Sequence, residues 1–238
     1  MQVVPDGVDM ADTAVHAAAT SWHSNALRTI INSLPDHAAV AAILAKYNRK
    51  GLTPLHCALD FYHPPSSPIP PSVSPSVELL CRLHRDRGVS IDMHSGKDGA
   101  TPLLLACRLT NTYAANLLIE NGADVNAGNN RQETALMAAI TAGSSDLVKL
   151  LIEKGADVNA ATAWTSETAL HCAVCERLQD EQALSFVRQL ADAGADANAM
   201  DEEGKNPAVW AAELGKEDLV RPPPSPHAVS PRVMRLTS

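Results

Sequence analysis

Aromatic residues are scarce in this sequence: three Trp, three Tyr and two Phe in 238 residues. A surface that stacks nucleic-acid bases needs more of them. Positive charge is also short, with 19 Lys and Arg against 27 Asp and Glu and a net charge of −8. That balance argues against a non-specific hold on a phosphate backbone, so no nucleic-acid partner is expected. No apolar run approaches the ~20 residues that cross a bilayer, and no membrane partner is expected. The opening MQVVPDGVDM is acidic and lacks an apolar core, so no secretory signal is visible. Five cysteines are an odd number without framework spacing, the usage of a reducing compartment. The expected location is the cytoplasm or the nucleus. Gly-x-Gly-x-x-Gly, P-loop and Gly-x-Ser-x-Gly motifs are missing, and nothing sets an acid and a base at a defined spacing. No catalytic residue, cofactor or metal ligand is therefore expected.

What is present is a repeated unit, clearest at Glu133–Asn159, ETALMAAITAGSSDLVKLLIEKGADVN. A Thr-led apolar run (Thr134 to Ala139) precedes the small-residue turn Ala142-Gly143-Ser144, and a second run (Leu147 to Ile152) precedes Gly155. Apolar spacing of i, i+3, i+4 makes both runs amphipathic helices too short to stand alone in water. Gly155 sits where a left-handed residue ends a helix. Apolar surface on both sides of the unit demands neighbours.

Those neighbours follow in phase. The Thr-led element recurs at Thr13, Thr53, Thr101, Thr134 and Thr168, with a worn copy at Asn206-Pro207-Ala208-Val209. Gly-Ala-Asp recurs at Gly122, Gly155 and Gly194, with a worn copy at Gly88 to Asp92. Thr101 to Thr134 is 33 residues and Thr134 to Thr168 is 34. The pattern resembles the ankyrin repeat, T-P-L-H-x-A-A, two antiparallel helices, G-A-D-V-N and a hairpin finger. The resemblance covers about residues 11 to 220 and implies an all-α ankyrin-repeat solenoid of ~six helix-turn-helix repeats with hairpin fingers and degraded terminal repeats.

In chain order, residues 1–10 form a leader. The repeats lie near 12–52, 53–100, 101–133, 134–167, 168–205 and 206–220. The first repeat is 7 residues longer than 33, which predicts an extra helix over Asp36 to Lys46. The second is interrupted at 63–75 by six prolines in 13 residues, a composition that excludes helix. Its second helix is expected to resume near Ser76. The sixth repeat is cut short by Arg221-Pro222-Pro223-Pro224, and 221–238 reads as a disordered Pro/Ser/Arg tail without acids.

The resemblance implies that His16, His56 and His171 are structural, their imidazoles bonding backbone between neighbouring repeats. Cys172 and Cys175 have Cys-x-x-Cys spacing, but no second pair stands in phase with them, so a zinc site is not expected. Cys57 and Cys172, each one residue after a motif histidine, are expected to face the core.

Ankyrin-like domains usually meet partners with their fingertips and the exposed ends of their first helices. Phase from the motif threonines gives the candidate partner-binding residues Trp164, Arg131, Arg108, Phe61, Tyr62, Arg49, Glu133, Glu167 and Glu176. Trp164 and Phe61 stand out, because an aromatic there has no core to fill and exposed aromatics and arginines make hot spots. The expected function is non-catalytic recognition of another protein on the concave face, as an adaptor or scaffold. The alternatives are an enzyme or small-molecule binder using that groove, or an ankyrin subunit of a larger assembly. The unfinished sixth repeat, with Val209, Trp210, Ala211 and Leu214, raises a homodimer through the uncapped C-terminal end.

Overall fold

The computed structural model describes residues 10–20, 23–59, 75–96, 98–175, 178–216 and 219. The candidates Phe61, Tyr62 and Glu176, and the tail and most of the expected leader and proline insert, lie outside the described residues. Among the described residues twelve short helices follow one another: α1 (Met10–Thr20), α2 (Ser24–Asn32), α3 (His37–Leu44), α4 (Pro54–Leu59), α5 (Pro75–Arg87), α6 (Pro102–Arg108), α7 (Thr112–Glu120), α8 (Ala135–Thr141), α9 (Ser145–Glu153), α10 (Ala169–Ala173), α11 (Asp180–Asp192) and α12 (Pro207–Glu213). Among the described residues no strand forms, and the single antiparallel bridge, Ala161 with Thr168, closes a finger. No described helix is long and apolar enough to cross a membrane.

The residue before each first helix explains where that helix begins. Thr134 is extended (φ −93°, ψ 165°) and its hydroxyl accepts from Met137 N at 3.4 Å. Thr101 does the same for Leu104 N at 3.2 Å, and Asn206 for Val209 N at 3.0 Å. These side chains satisfy amides that a helix start leaves open, each worth about 1 kcal/mol. The helix expected at Asp36 is α3, with Asp36 Oδ1 accepting from Ala39 N at 2.8 Å. Pro75 occupies the first position of α5, where its missing N–H costs nothing.

The chain divides into two compact units. The first holds residues up to Ala106 and Tyr113–Asp124, the second Cys107–Thr112 and everything from Val125 on. In the first, α1 packs on α4 and α2, and α5 on α2, α3 and α4. Leu27, Leu55, Leu80 and Cys81 are fully buried there. In the second, α8 packs on α9 and α10, and α10 on α11 and α12. Leu136, Ile140, Leu147, Phe186 and Leu190 fill that core. Each buried Leu or Ile contributes about 2 kcal/mol, and no helix this short would persist without it.

The motif histidines tie successive repeats together. His56 is completely buried, with Nδ1 2.7 Å from Thr53 Oγ1 and Nε2 2.9 Å from the Ala100 carbonyl. His171 accepts Thr168 N–H on Nδ1 at 3.1 Å, so Nε2 carries the proton it donates to Lys205 O at 3.1 Å. His16 reaches Leu52 O at 3.0 Å. The structural role implied for these three residues is the one their bonds describe.

A second set of links joins the loops that follow the second helices. In the second unit Asn126 accepts from Asp157 N at 2.7 Å and donates to Gly155 O at 3.3 Å. Asn159 repeats both bonds to Asp196 N (2.7 Å) and Gly194 O (3.2 Å). In the first unit the equivalent residue is Asp92, whose carboxylate accepts from Asp124 N at 3.1 Å. Burial pushes the Asp92 carboxyl above its ordinary value, partly opposed by the Asp124 amide.

Candidate functional site

The fingers of the second unit are short loops whose first polar side chain folds back on its own backbone. Asn129 Oδ1 accepts from Arg131 N at 2.9 Å and Glu133 N at 3.0 Å. Asp201 Oδ1 accepts from Glu203 N at 2.9 Å and Lys205 N at 2.8 Å. Such local bonds are why Asn and Asp nucleate turns. Adjacent fingers are joined by Ala163 N to Arg131 O (2.8 Å) and Glu202 N to Thr165 O (2.9 Å). The tips are thereby fixed by backbone, which frees their side chains to face outward.

Two of these tips carry Arg131 and Trp164. Trp164 is 63% exposed, with the Arg131 guanidinium carbon 5.6 Å from its ring centre. That is a cation–π pair, worth about 0.5–1 kcal/mol at an exposed site. Arg108 closes on Glu133 at 2.6 Å, and Asn129 Nδ2 donates to the same carboxylate at 3.0 Å. Glu167 is half-buried at the base of the Trp164 finger. The structure therefore brings Arg108, Arg131, Glu133, Trp164 and Glu167 together in one unit. Arg49 is exposed on a finger of the first unit.

Below these tips runs a depression in two connected parts. A smaller one of about 280 Å³ is bounded by Arg131, Glu133 and Trp164. A larger one of about 620 Å³ runs on to Asp201, Lys205, Trp210 and Glu213. Thr141, Thr165, Glu167 and Cys172 border both. Cys172 keeps an exposed edge on the groove floor although its thiol is largely buried, while Cys57, the other cysteine the sequence turned towards the core, is buried. The cause is the brevity of α10: Leu170 and Ala173 fill its buried side, and the intervening Cys172 turns towards Thr141. Burial, then the charges of Glu167, Cys175 and Glu133, push its thiol up to about 12. A thiol so poised is protonated at neutral pH and is no nucleophile.

The far wall holds Trp210, which the sequence raised only as part of a homodimer end, beside Asp201 and Lys205. Trp210 Nε1 donates to Asp201 Oδ2 at 2.7 Å, and its ring meets His171 edge-on at 5.4 Å between centres. Desolvation raises the Asp201 carboxyl, but bonds from Lys205 N, Trp210 and Glu203 N outweigh it and hold the group below its ordinary value. Lys205 reaches Glu213 at 2.9 Å and Glu203 at 3.1 Å, which raises its ammonium above the usual value. Asp201 and Trp210 lie on different elements, so no periodicity links them in the sequence. Ala208 and Ala211 of α12 are buried, Leu219 is 1% exposed, and Lys216 Nζ donates to Cys175 O (2.8 Å) and Leu178 O (3.0 Å). Among the described residues no three His, Cys, Asp or Glu side chains are grouped as a metal would require.

Paired short helices, capped by Thr or Asn and bridged by buried histidines, define a helical repeat protein. The family described as ankyrin repeats in three copies matches residues 73–162. Neurogenic locus notch homolog protein 1 of Xenopus laevis is 34% identical over 132 residues, 56% of this chain. The human protein of that name is 33% identical over 132 residues, and human neurogenic locus notch homolog protein 2 is 31% identical over 128. The matched region spans 5% of the length of these relatives. An ankyrin repeat domain from Acinetobacter baumannii superposes with a TM-score of 0.68 at 21% identity, covering 86% of this chain and 92% of that one. A second solved ankyrin repeat protein gives 0.67 at 22% identity, covering 86% and 93%. Residues 73–162 thus match ankyrin repeats, and the chain has the all-α ankyrin-repeat solenoid fold. Ankyrin repeats are generally protein–protein interaction modules.

Proposed function

We propose that this protein is a non-catalytic adaptor that holds a partner protein against the fingers and groove of its second unit, in the cytoplasm or nucleus. The observation that carries this reading is Trp164, 63% exposed on a fingertip under the Arg131 guanidinium. Exposing an indole to water is unfavourable, and a rigid fingertip already holds it in place. Preorganisation of this kind leaves little entropy to lose on binding. Arg108 is held by Glu133, so it presents a fixed rather than a searching guanidinium. The protonated Cys172 thiol supports recognition over covalent chemistry. The test is affinity capture of partners from cells with wild-type protein and with Trp164→Ala. The expected result is loss of a defined set of partners by the variant. Capture of the same set by both proteins would sink the proposal.

A further inference from the structure

The larger part of the groove has a charge pattern that its own residues leave unbalanced. Glu167, Asp201, Glu202, Glu203 and Glu213 border it, against the single cation Lys205. Lys205 is already engaged by Glu203 and Glu213. Asp201 is occupied by Trp210 and two backbone amides. Glu167 and Glu202 have no cation against them among the described residues. The smaller part is bounded by an exposed indole and by Met137. An acidic trough therefore leads away from an apolar fingertip within one compact unit.

We infer that the groove takes an extended segment of a partner protein that lays an apolar side chain against Trp164 and an arginine or lysine beside Glu167, over Thr141 and Cys172. This deepens the adaptor reading and rests on it. An acidic segment would meet five carboxylates at close range, and like charges across an interface are strongly disfavoured. A neutral segment would leave Glu167 and Glu202 partly desolvated without a partner, which is also costly. A cation at Glu167 removes both penalties. Guanidinium has the advantage over ammonium, since its fork can meet one carboxylate with two N–H groups. The bound charge would lie close enough to Cys172 to relieve the carboxylate field on that thiol.

The test is selection of a random 12-residue peptide library, displayed on phage, against the full chain. Enriched peptides are expected to carry Arg or Lys near an aromatic or aliphatic residue. Glu167→Lys is expected to weaken the synthetic forms of those peptides about tenfold, while Glu153→Lys, an equal charge change on the exposed side of α9, leaves them unchanged. Circular dichroism of both variants establishes that each is folded. Enrichment of acidic or uncharged peptides that Trp164→Ala still weakens would overturn the basic segment but leave the adaptor reading standing. Peptides indifferent to Trp164→Ala would overturn both, and absence of any enrichment would overturn a linear segment. Displacement of the peptides by a synthetic 221–238 peptide, which carries three arginines, would replace the partner segment with the chain's own tail. A dimer in sedimentation that Glu167→Lys dissolves would replace it with a second copy.

Discussion

Two sets of fingers make the same turn with different residues, and the difference separates backbone contact within the fold from side chains left at the surface. Each finger needs one left-handed residue two positions before the residue that caps its helix. That residue is Gly51 (φ 72°), Gly99 (φ 72°) and Gly204 (φ 75°) in three fingers, but Gln132 (φ 59°) and Ser166 (φ 52°) in the two that carry Arg131 and Trp164. In the first unit, Gly51 and Gly96 bring bare backbone together, with Gly96 N donating to Gly51 O at 2.6 Å. A Cβ built on Gly51 would lie 2.8 Å from Gly96 Cα. In the second unit the donor keeps its place but the acceptor lies one residue earlier in its finger, Ala163 N donating to Arg131 O. A non-glycine residue in this conformation costs on the order of 1 kcal/mol, and such strain is often kept where a surface has a task.

The sharpest way to break this comparison is Gly51→Val. The backbone cannot relax away from Gly96 cheaply, so a loss of about 2–4 kcal/mol is expected from left-handed strain plus overpacking. Urea unfolding followed by helical circular dichroism measures it, and an unchanged midpoint would mean the two glycines do not need to touch. Next is Trp164→Ala, where the expected sign is opposite for stability and binding. Unfolding should shift by under about 0.5 kcal/mol, as for exposed sites. Partner affinity should fall by about 2 kcal/mol, close to thirtyfold, by isothermal titration with a captured partner.

The ladder of Asn126 and Asn159 offers a gentler version of the contrast, because Asp92 fills that position in the first unit without an N–H to give. Asp92→Asn supplies a donor towards the Gly122 carbonyl and is expected to stabilise by about 0.5–1 kcal/mol at pH 7. The wild-type carboxyl titrates above its unfolded value of 3.8, so the folded state binds the proton more tightly than the unfolded one. Its contribution is therefore favourable at acid pH and is lost as pH rises from about that unfolded value through the higher folded one. The gain from Asp92→Asn should accordingly shrink as pH falls towards 4, a trend that unfolding at several pH values would reveal or refute. The smallest effect belongs to Gln132→Gly. Release of left-handed strain and the added freedom of glycine in the unfolded chain nearly cancel, so a change below about 0.5 kcal/mol is expected in the same unfolding assay.

The repeats were legible in the sequence because each one restates its own start and stop. Thr134, Gly155 and their in-phase copies mark helix ends by local bonds that need no tertiary context. Asp36 could be read in the same way, and α3 begins where it indicates; α5 begins at Pro75, the last residue of the expected insert and one before Ser76. The exposure of Trp164 also followed from phase alone. Its pairing with Arg131 did not, since the two side chains meet only when adjacent fingers are stacked. The exposed edge of Cys172 was not legible, because in a five-residue helix one residue's rotation decides how much of it reaches the groove. The Asp201–Trp210 bond was not legible because a nine-residue separation across a finger and a helix carries no periodic signal.

The placement of the tryptophans makes the groove self-reporting. Of the three, Trp22 lies outside the described residues, while Trp164 and Trp210 border the two connected parts of the same depression. Trp164 looks into water and should emit at the red end of the indole range. Trp210, half-buried against His171 and bonded to Asp201, should emit further to the blue. A ligand entering the groove covers the first indole while leaving the second in its bond. Occupancy can then be followed as a blue shift of intrinsic fluorescence, without a label, and Trp164→Phe should silence it.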